Sequence, residues 1–234
     1  MPDKKDLTVI DVQAQLTDLF GRRMQGRNAE LMMQFRVLMT YYRCAMKEIV
    51  TKFEVLNEEF SLQYDRNPIS SIQSRLKSGS SIRGKLKSRN LPVSMDSIEE
   101  NIQDIAGVRV ICPFLDDVYY LERALLAQDD IQLIERKNYI DNPKENGYRS
   151  LHLIVAVPIF LSHSKRIMKV EVQIRTIAMD SWASLEHQLR YKKSFVFTSE
   201  MEDELQHCAD LSNELDMRMD ALRRELLNRN KNNI

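Results

Sequence analysis

PKENGYRSLHLIVAVPIFLSHSKRIMKVEVQIRTIAMDSWASLEH, residues 143–187, is the stretch on which the reading of this chain turns. It opens on a polar turn, Glu145-Asn146-Gly147-Tyr148, and passes through two runs rich in β-branched residues, Leu151 to Val157 and Ile167 to Arg175. Branched side chains lose rotamer freedom in a helix and pack well on a pleated surface, so both runs are expected to be strands. Side chains alternate across a strand, which puts Lys169, Glu171, Gln173 and Arg175 on one face and Val170, Val172 and Ile174 on the other. Beyond them Ile177, Trp182, Leu185 and Leu189 fall on one helical face, predicting a packed helix.

Working outward, Ser94-Met95-Asp96 starts a short helix with Ile98, Ile102 and Ile105 on its apolar side. Gly107 is expected to end it and to begin a strand over Val108 to Phe114. Asp116-Asp117 then caps a helix through Leu126, and Ile131 to Lys137 is a further strand. Four strands with helices between them indicate a mixed sheet in an α+β domain. Upstream, from the N-cap residue Asn28, apolar residues recur at Leu31, Phe35, Leu38, Tyr42, Ala45, Ile49, Phe53, Leu56 and Phe60, predicting one long helix that ends before Asn67-Pro68. Pro68 to Leu86 reads as helix, serine turn (Ser78-Gly79-Ser80-Ser81) and helix, with Pro68 in the first turn. A short leading helix is expected from Val9, Val12, Leu16, Leu19 and Phe20. At the other end, Ser199 to about Leu227 carries Met201, Leu205, Cys208, Ser212, Leu215, Met219, Leu222 and Leu226 at four-three spacing. That seam either packs on the long N-terminal helix or builds an interface between subunits. The expected organisation is a helical region over 1–66, a catalytic domain over 67–192 and a C-terminal helix over 193–234.

Composition narrows the class. The 234 residues hold 34 Lys plus Arg and 34 Asp plus Glu, so any surface for a polyanion must be local. No apolar run approaches the roughly 18–20 residues that span a bilayer, so no membrane partner is expected. Cys44, Cys112 and Cys208 lack metal-ligand spacing and read as buried thiols of a cytoplasmic protein.

Individually, the polar residues have ordinary explanations. A charged strand face is usually solvated, a histidine such as His152 among Leu151, Leu153 and Ile154 is usually a satisfied core residue, and Tyr148 after Asn146-Gly147 could simply cover a loop. In combination they suggest more. Asp104, at the turn into the first strand, and Glu171 give two carboxylates, and Mg²⁺ commonly takes one or two carboxylates plus nucleotide phosphates. Arg75, Lys77, Arg83, Lys85, Lys87 and Arg89 around the serine turn supply cations and backbone N–H groups for phosphate. A tyrosine presented outward at position 148 can stack on a base, worth about 1–3 kcal/mol. No GxxxxGK[ST] loop occurs, so the phosphate site is not of the Walker type.

The motifs Asp104-Ile-Ala-Gly-Val-Arg109, Asn146-Gly-Tyr-Arg-Ser-Leu-His152 and Glu171-Val-Gln-Ile-Arg175, in this order, resemble the synthetase domain of RelA/SpoT-type enzymes, and the chain resembles their single-domain branch, the small alarmone synthetases. The resemblance spans Tyr41 to Arg223. It implies a nucleotidyltransferase-like fold with a mixed sheet of about five strands, and transfer of pyrophosphate from ATP to the 3′-hydroxyl of GDP or GTP, giving ppGpp or pppGpp and AMP. It further implies Asp104 as Mg²⁺ ligand and Glu171 as the acidic residue that assists the metal or takes the hydroxyl proton. Arg75 and Arg109 correspond to an adenine-sandwiching pair, and Lys77, Ser81 and Lys85 to the ATP-phosphate positions. Tyr148 corresponds to the guanine-stacking tyrosine, with Lys144, Asn146, His152 and Gln173 around the acceptor. Where the family usually carries an arginine after Lys85, this chain has Ser88, so Lys87 or Arg89 would have to replace it. No His-Asp dipeptide of the family's hydrolase half occurs, which implies synthesis without degradation. The resemblance also implies a homo-oligomer, with a tetramer favoured, and allows an allosteric nucleotide or single-stranded RNA as effector. Two other readings remain: a tRNA 3′-end pyrophosphokinase of the same architecture, and a non-catalytic RNA-binding protein using the basic segment and Tyr148.

Overall fold

The long N-terminal helix is where the core begins. In the computed structural model, which describes residues 14–15, 18–19, 28–64, 66–191 and 197–231, helix α1 (Asn28–Tyr64) buries Phe35, Leu38, Tyr42, Ala45, Ile49, Phe53, Leu56 and Phe60. These are the periodic positions expected from the sequence, and they lay α1 across one face of a sheet, against β1 (Ser71–Leu76), β2 (Ala106–Cys112), β4 (Leu151–Phe160) and β5 (Lys165–Thr176). With β3 (Gln132–Asn138) the sheet has five strands in the order β1-β2-β5-β4-β3, mixed because β2 and β5 run parallel while the other neighbours are antiparallel. Helices α2 (Gly79–Ser88), α3 (Met95–Asn101), α4 (Leu115–Leu126), α5 (Ile177–Tyr191) and α6 (Ser199–Lys231) complete the described elements. The leading helix expected from Val9 to Phe20 falls almost wholly outside the described residues. Of its apolar positions Leu19 is described, and it is buried.

The fifth strand, β1, lies where a helix was expected. Ile72 and Leu76 are four apart, a spacing that fits one helical face and equally the one face of a strand. Both pack on the core, while Gln73 and Arg75 alternate to the other side. Pro68 accordingly sits before a strand and not in a first helical turn. The serine turn is real but tighter than expected: Ser78 is the N-cap of α2, its Oγ accepting from the Ser81 N–H, and Gly79 is the first helical residue. A Cβ on Gly79 would lie 2.2 Å from the Gln15 carbonyl oxygen, so glycine permits that close approach.

Other boundaries also differ. α3 ends at Asn101, capped by Ile102 in an extended conformation, so Gly107 lies inside β2 and terminates no helix. Asp117 caps nothing. Phe114 precedes α4 without a side-chain cap, and the buried Asp117 carboxylate accepts two hydrogen bonds from Arg66 at 2.6 and 3.0 Å. On α5 the buried face is Met179, Trp182 and Ala183, whereas Ile177, Leu185 and Leu189 are exposed, because α5 turns its indole under α6, where Trp182 Nε1 donates to the Leu205 carbonyl at 3.0 Å.

Helix α6 is built the wrong way round for an ordinary surface helix. It lies on α5 and α4 through Ala209, Asp216 and Asp220, while Met201, Leu215, Met219, Leu222 and Leu226 of the predicted seam are about half exposed or more. Cys208 lies exposed on the same helix and Cys44 is half-buried, so of the three cysteines only Cys112 is the buried thiol expected of all of them.

Phe53, fully buried in the centre of α1, tests this architecture. Phe53→Ala should cost about 3–5 kcal/mol of stability, read as a lowered denaturant midpoint at fixed protein concentration.

Candidate functional site

Strand register assembles the site. Gln73 pairs with Arg109, Arg109 with Gln173, Gln173 with His152 and His152 with Lys137, forming one row across all five strands. Two residues along, a second row runs Arg75, Gly107, Glu171, Ile154 and Glu135. Residues two apart share a face, so both rows lie on the same face of the sheet. Glu171 stands in the middle strand of the second row, and two cavities open on either side of it. One, of about 240 Å³, is bordered by Arg75, Lys77, Asp104, Arg109, Glu171 and Gln173, among others. The second, of about 190 Å³, is bordered by Glu135, Lys137, Tyr139, Lys144, His152 and Glu171 together with Ile154.

At the first cavity, Asp104 Oδ2 accepts from Lys77 Nζ and Lys85 Nζ, both at 2.8 Å. Burial pushes the Asp104 carboxyl up, but the hydrogen bonds and charges of the two lysines outweigh it and hold it below the usual carboxylate range. Its Oδ1 is buried with no hydrogen-bond partner. Lys85 reaches Asp104 from the second half of α2, while Ser81 stays in the first turn, its Oγ accepting from Ser78 Oγ at 2.8 Å, and neither borders the cavity itself. Near Ser88, Arg89 is turned to the Asn101 carbonyl at 2.8 Å and Lys87 is exposed, so neither borders the cavity.

At the second cavity, His152 links the tyrosine to the carboxylate. Its Nε2 is 2.8 Å from the Tyr148 hydroxyl and its Nδ1 is 3.5 Å from Glu171 Oε1. Glu171 Oε2 accepts from Gln173 Nε2 at 2.9 Å. Burial raises the Glu171 carboxyl, but His152 and Gln173 outweigh burial and the nearby Asp104 charge, leaving it below its ordinary value. Tyr148 is not presented outward as expected. Its ring is half-buried against Trp182, Ala183 and Ala209, with Lys144 Nζ 4.8 Å and the Arg175 guanidinium 5.0 Å from the centroid. The turn holding it needs glycine: Gly147 has φ +81°, and a Cβ there would lie 2.5 Å from Ala209 Cβ. Asn146 closes the turn, Oδ1 accepting from the Tyr148 N–H at 3.3 Å while Nδ2 donates to Glu186 at 3.3 Å.

Several contributors were absent from the expected set. Gln73 of β1, Glu135 and Lys137 of β3, and Tyr139 just after β3 border the cavities because of where β1 and β3 lie in the sheet, and strand order was not readable from periodicity. Arg175, expected on the same polar face, is 4% exposed and donates to Ser150, Gln173, Asp180 and Tyr148. Asp180, one turn into α5, also accepts from Arg109 at 3.2 Å. Nothing in its local pattern marks it.

The arrangement is therefore two adjoining cavities that share one ionised carboxylate, with a second carboxylate and two lysines on one side and an aromatic-cationic cluster on the other. Comparison with known proteins bears on the family and the fold. The family profile described as "Region found in RelA / SpoT proteins" matches residues 74–195. The chain is 40% identical over 185 residues to the GTP pyrophosphokinase YwaC of Bacillus subtilis, covering 79% of this chain and 88% of that protein. Among solved structures, the small alarmone synthetase 1 of Bacillus subtilis bound to its product pppGpp superposes with a TM-score of 0.75 at 34% identity, covering 82% of this chain and 97% of the other. The same synthetase bound to AMPCPP gives a TM-score of 0.71 at 32% identity, covering 84% and 99%. Three sequence motifs meeting on one sheet face, a profile match over more than half the residues and a shared fold lead to one conclusion: this chain belongs to the RelA/SpoT family.

Proposed function

We propose that the chain transfers pyrophosphate from ATP to the 3′-hydroxyl of GDP or GTP, releasing AMP and forming ppGpp or pppGpp. The observation that carries this reading is Glu171, which borders both cavities and so meets a donor on one side and an acceptor on the other. Relatives whose structures hold pppGpp or AMPCPP support nucleotides in such a site. Two small cavities separated by a carboxylate suit two nucleotides better than a strand of RNA, whose backbone those carboxylates would repel.

In this reading the first cavity takes ATP. Arg75 and Arg109, one on each of two neighbouring strands, hold adenine between guanidinium planes, and Lys77, Lys85 and the Ser81 turn of α2 receive the phosphates. The acceptor occupies the second cavity. Its guanine stacks on Tyr148 as Lys144 moves from the ring to the acceptor's phosphates, and Asn146, His152 and Gln173 set its orientation. The 3′-oxygen attacks the β-phosphorus, the bond from that phosphorus to the α–β bridging oxygen breaks, and AMP leaves with the bridging oxygen. Glu171, ionised and held by His152 and Gln173, accepts the hydroxyl proton.

Asp104 and Glu171 would hold the Mg²⁺ that family membership implies. Their donor set fits: Asp104 Oδ1 is buried without a partner, and both carboxyls lie below their ordinary pKa. Among the described residues no group of three His, Cys, Asp or Glu could hold a metal, which suits a cation that takes its remaining oxygens from phosphate. Bound there, Mg²⁺ would neutralise phosphate charge as it develops. We further infer that residues 67–192 carry the catalysis and that the exposed seam of α6 joins copies of the chain into a homo-oligomer, a tetramer by family resemblance. No described helix is long and apolar enough to cross a membrane, and three unpaired cysteines suit a reducing cytoplasm.

Three outcomes test these assignments. Glu171→Gln should lower AMP formation from ATP plus GDP by about 10²–10⁴-fold, the usual worth of a general base, with both nucleotides still bound in calorimetry. Near-wild-type turnover would remove the base assignment. Asp104 has a depressed folded-state pKa, so its stabilisation is complete above the ordinary carboxylate pKa of about 4 and is lost as the pH falls through the lower folded value. The melting temperature of Asp104→Asn should therefore lie below wild type at pH 7 and converge on it under acid. Finally, Leu222→Glu in the seam should reduce the mass measured by light scattering while leaving the far-ultraviolet dichroism intact.

A further inference from the structure

Arg109 borders the cavity assigned to ATP, and Arg175 lies behind Tyr148 on the acceptor side. The two guanidinium groups meet at two shared acceptors. Asp180 Oδ1 accepts from Arg109 Nη1 and from Arg175 Nη1, both at 3.2 Å. Gln173 Oε1 accepts from Arg109 Nε at 3.4 Å and from Arg175 Nη2 at 3.1 Å. The four side chains thus close a ring that borders the first cavity through Arg109 and Gln173 and reaches the second through the Arg175–Tyr148–His152 contacts. From it Arg175 extends to the Tyr148 hydroxyl and to Ser150 Oγ, so each of its nitrogens donates in a site where it is almost wholly buried.

Like charges brought this close repel unless a counter-charge lies between them. Of the ring's members only Asp180 is negative. Arg109 shows the balance: burial lowers its pKa most, the charge of Arg175 lowers it further, and Asp180 opposes both. Asp180 is also rigidly placed. It sits in the first turn of α5, where a carboxylate is favoured by the helix dipole, and Thr176 caps that turn, its Oγ1 accepting from the Met179 N–H at 3.1 Å. We propose that Asp180 is a positioning residue that joins the two nucleotide pockets: one carboxylate sets both the plane of Arg109 for the donor base and, through Arg175, the position of Tyr148 for the acceptor base. Whatever displaces one arginine changes the restraint on the other.

The proposal rests on the assignment of the two cavities to donor and acceptor, and its test is arranged so that the two can fail separately. Wild-type protein is assayed for AMP formation from ATP plus GDP, and the affinities of AMPCPP and of GDP are measured individually by calorimetry. Wild type that makes no AMP and binds neither nucleotide overturns the cavity assignment. Given a working wild type, Asp180→Asn, which keeps the shape and removes the charge, should raise the KM for ATP and the KM for GDP each by about tenfold, the worth of a charge-assisted hydrogen bond, with a smaller fall in kcat. Both calorimetric affinities should weaken likewise, and Asp180→Glu should recover part of both. A change in one nucleotide alone, in kcat alone, or in neither overturns the linkage. Should Asp180→Asn fail to fold, Arg175→Lys serves. It keeps the positive charge and loses the fork, so it should weaken AMPCPP binding although Arg175 does not border that cavity. Unchanged AMPCPP affinity in that variant overturns the proposal.

Discussion

The parallel pairing of β2 with β5 is the constraint on which the site depends. It sets Gly107 beside Glu171 and Arg109 beside Gln173. Antiparallel pairing at the same place would invert the order of these residues along the sheet and carry Asp104, three residues before Gly107, to the opposite end from the β5 carboxylate. A parallel neighbour requires a long crossover, and here the chain between β2 and β5 supplies α4, β3 and β4. The turn Lys144 to Arg149, proposed to meet the acceptor, lies in that crossover. One topological requirement therefore brings both halves of the site to the same sheet face.

Electrostatics then arrange what topology brings together. The chain is neutral as a whole, yet within the site each carboxylate is balanced by named cations or donors: Asp104 by Lys77 and Lys85, Glu171 by His152 and Gln173, Asp180 by Arg109 and Arg175. Two of these carboxyls stay below the usual range in spite of their burial, because their partners contribute more than desolvation costs. Asp104 also holds Lys77 and Lys85 in place, so the side chains proposed to receive phosphate are ordered in its absence. Preorganisation of this kind lowers the ordering cost of binding.

Legibility followed the number of independent constraints on each segment. The apolar spacing of α1 extends from Leu31 to Phe60, about eight turns, and each of its predicted positions from Phe35 to Phe60 is buried. β4 and β5 were readable because β-branched runs of that length have no helical competitor. β1 was not, since six residues with apolar positions four apart fit a helix and a strand alike, and the serine turn beside them favoured the helical reading. Within the site, Asp104, Glu171, Tyr148, His152 and Gln173 stood in motifs; all but Tyr148 border the two cavities, and Tyr148 joins them through its hydrogen bond to His152. Ser81 and Tyr148 show the limit of such inference, because their exposure depends on α2 and α6, which no motif places. Asp180 and Lys137 join the site only through strand order and helix packing, which local periodicity does not carry.

Helix α6 shows why an apolar period alone cannot assign a partner. Its seam was compatible with packing inside the subunit, yet the inward face is made of Ala209, Asp216 and Asp220, and the apolar residues point away. The inward acids have specific work. Thr176, the same residue that caps α5, donates from Oγ1 to Asp216 Oδ2 at 2.5 Å, while Asp220 pairs with Arg224 at 2.8 Å. Burial raises the Asp216 carboxyl, the Thr176 hydrogen bond offsets only part of this and the charge of Asp220 adds to it, a cost accepted at a helix otherwise poor in inward apolar contacts. The same helix also holds the turn at Gly147: Ala209 of its inner face lies where a Cβ on Gly147 would clash, and the exposed Asp210 beside it lies 3.6 Å from Arg149. One helix thus backs the turn that carries Tyr148, anchors the start of the helix that carries Asp180, and offers an apolar seam outward. Burying that seam against another copy of the chain would stabilise α6 where its own subunit does so least, and through α6 would stiffen the turn that carries Tyr148.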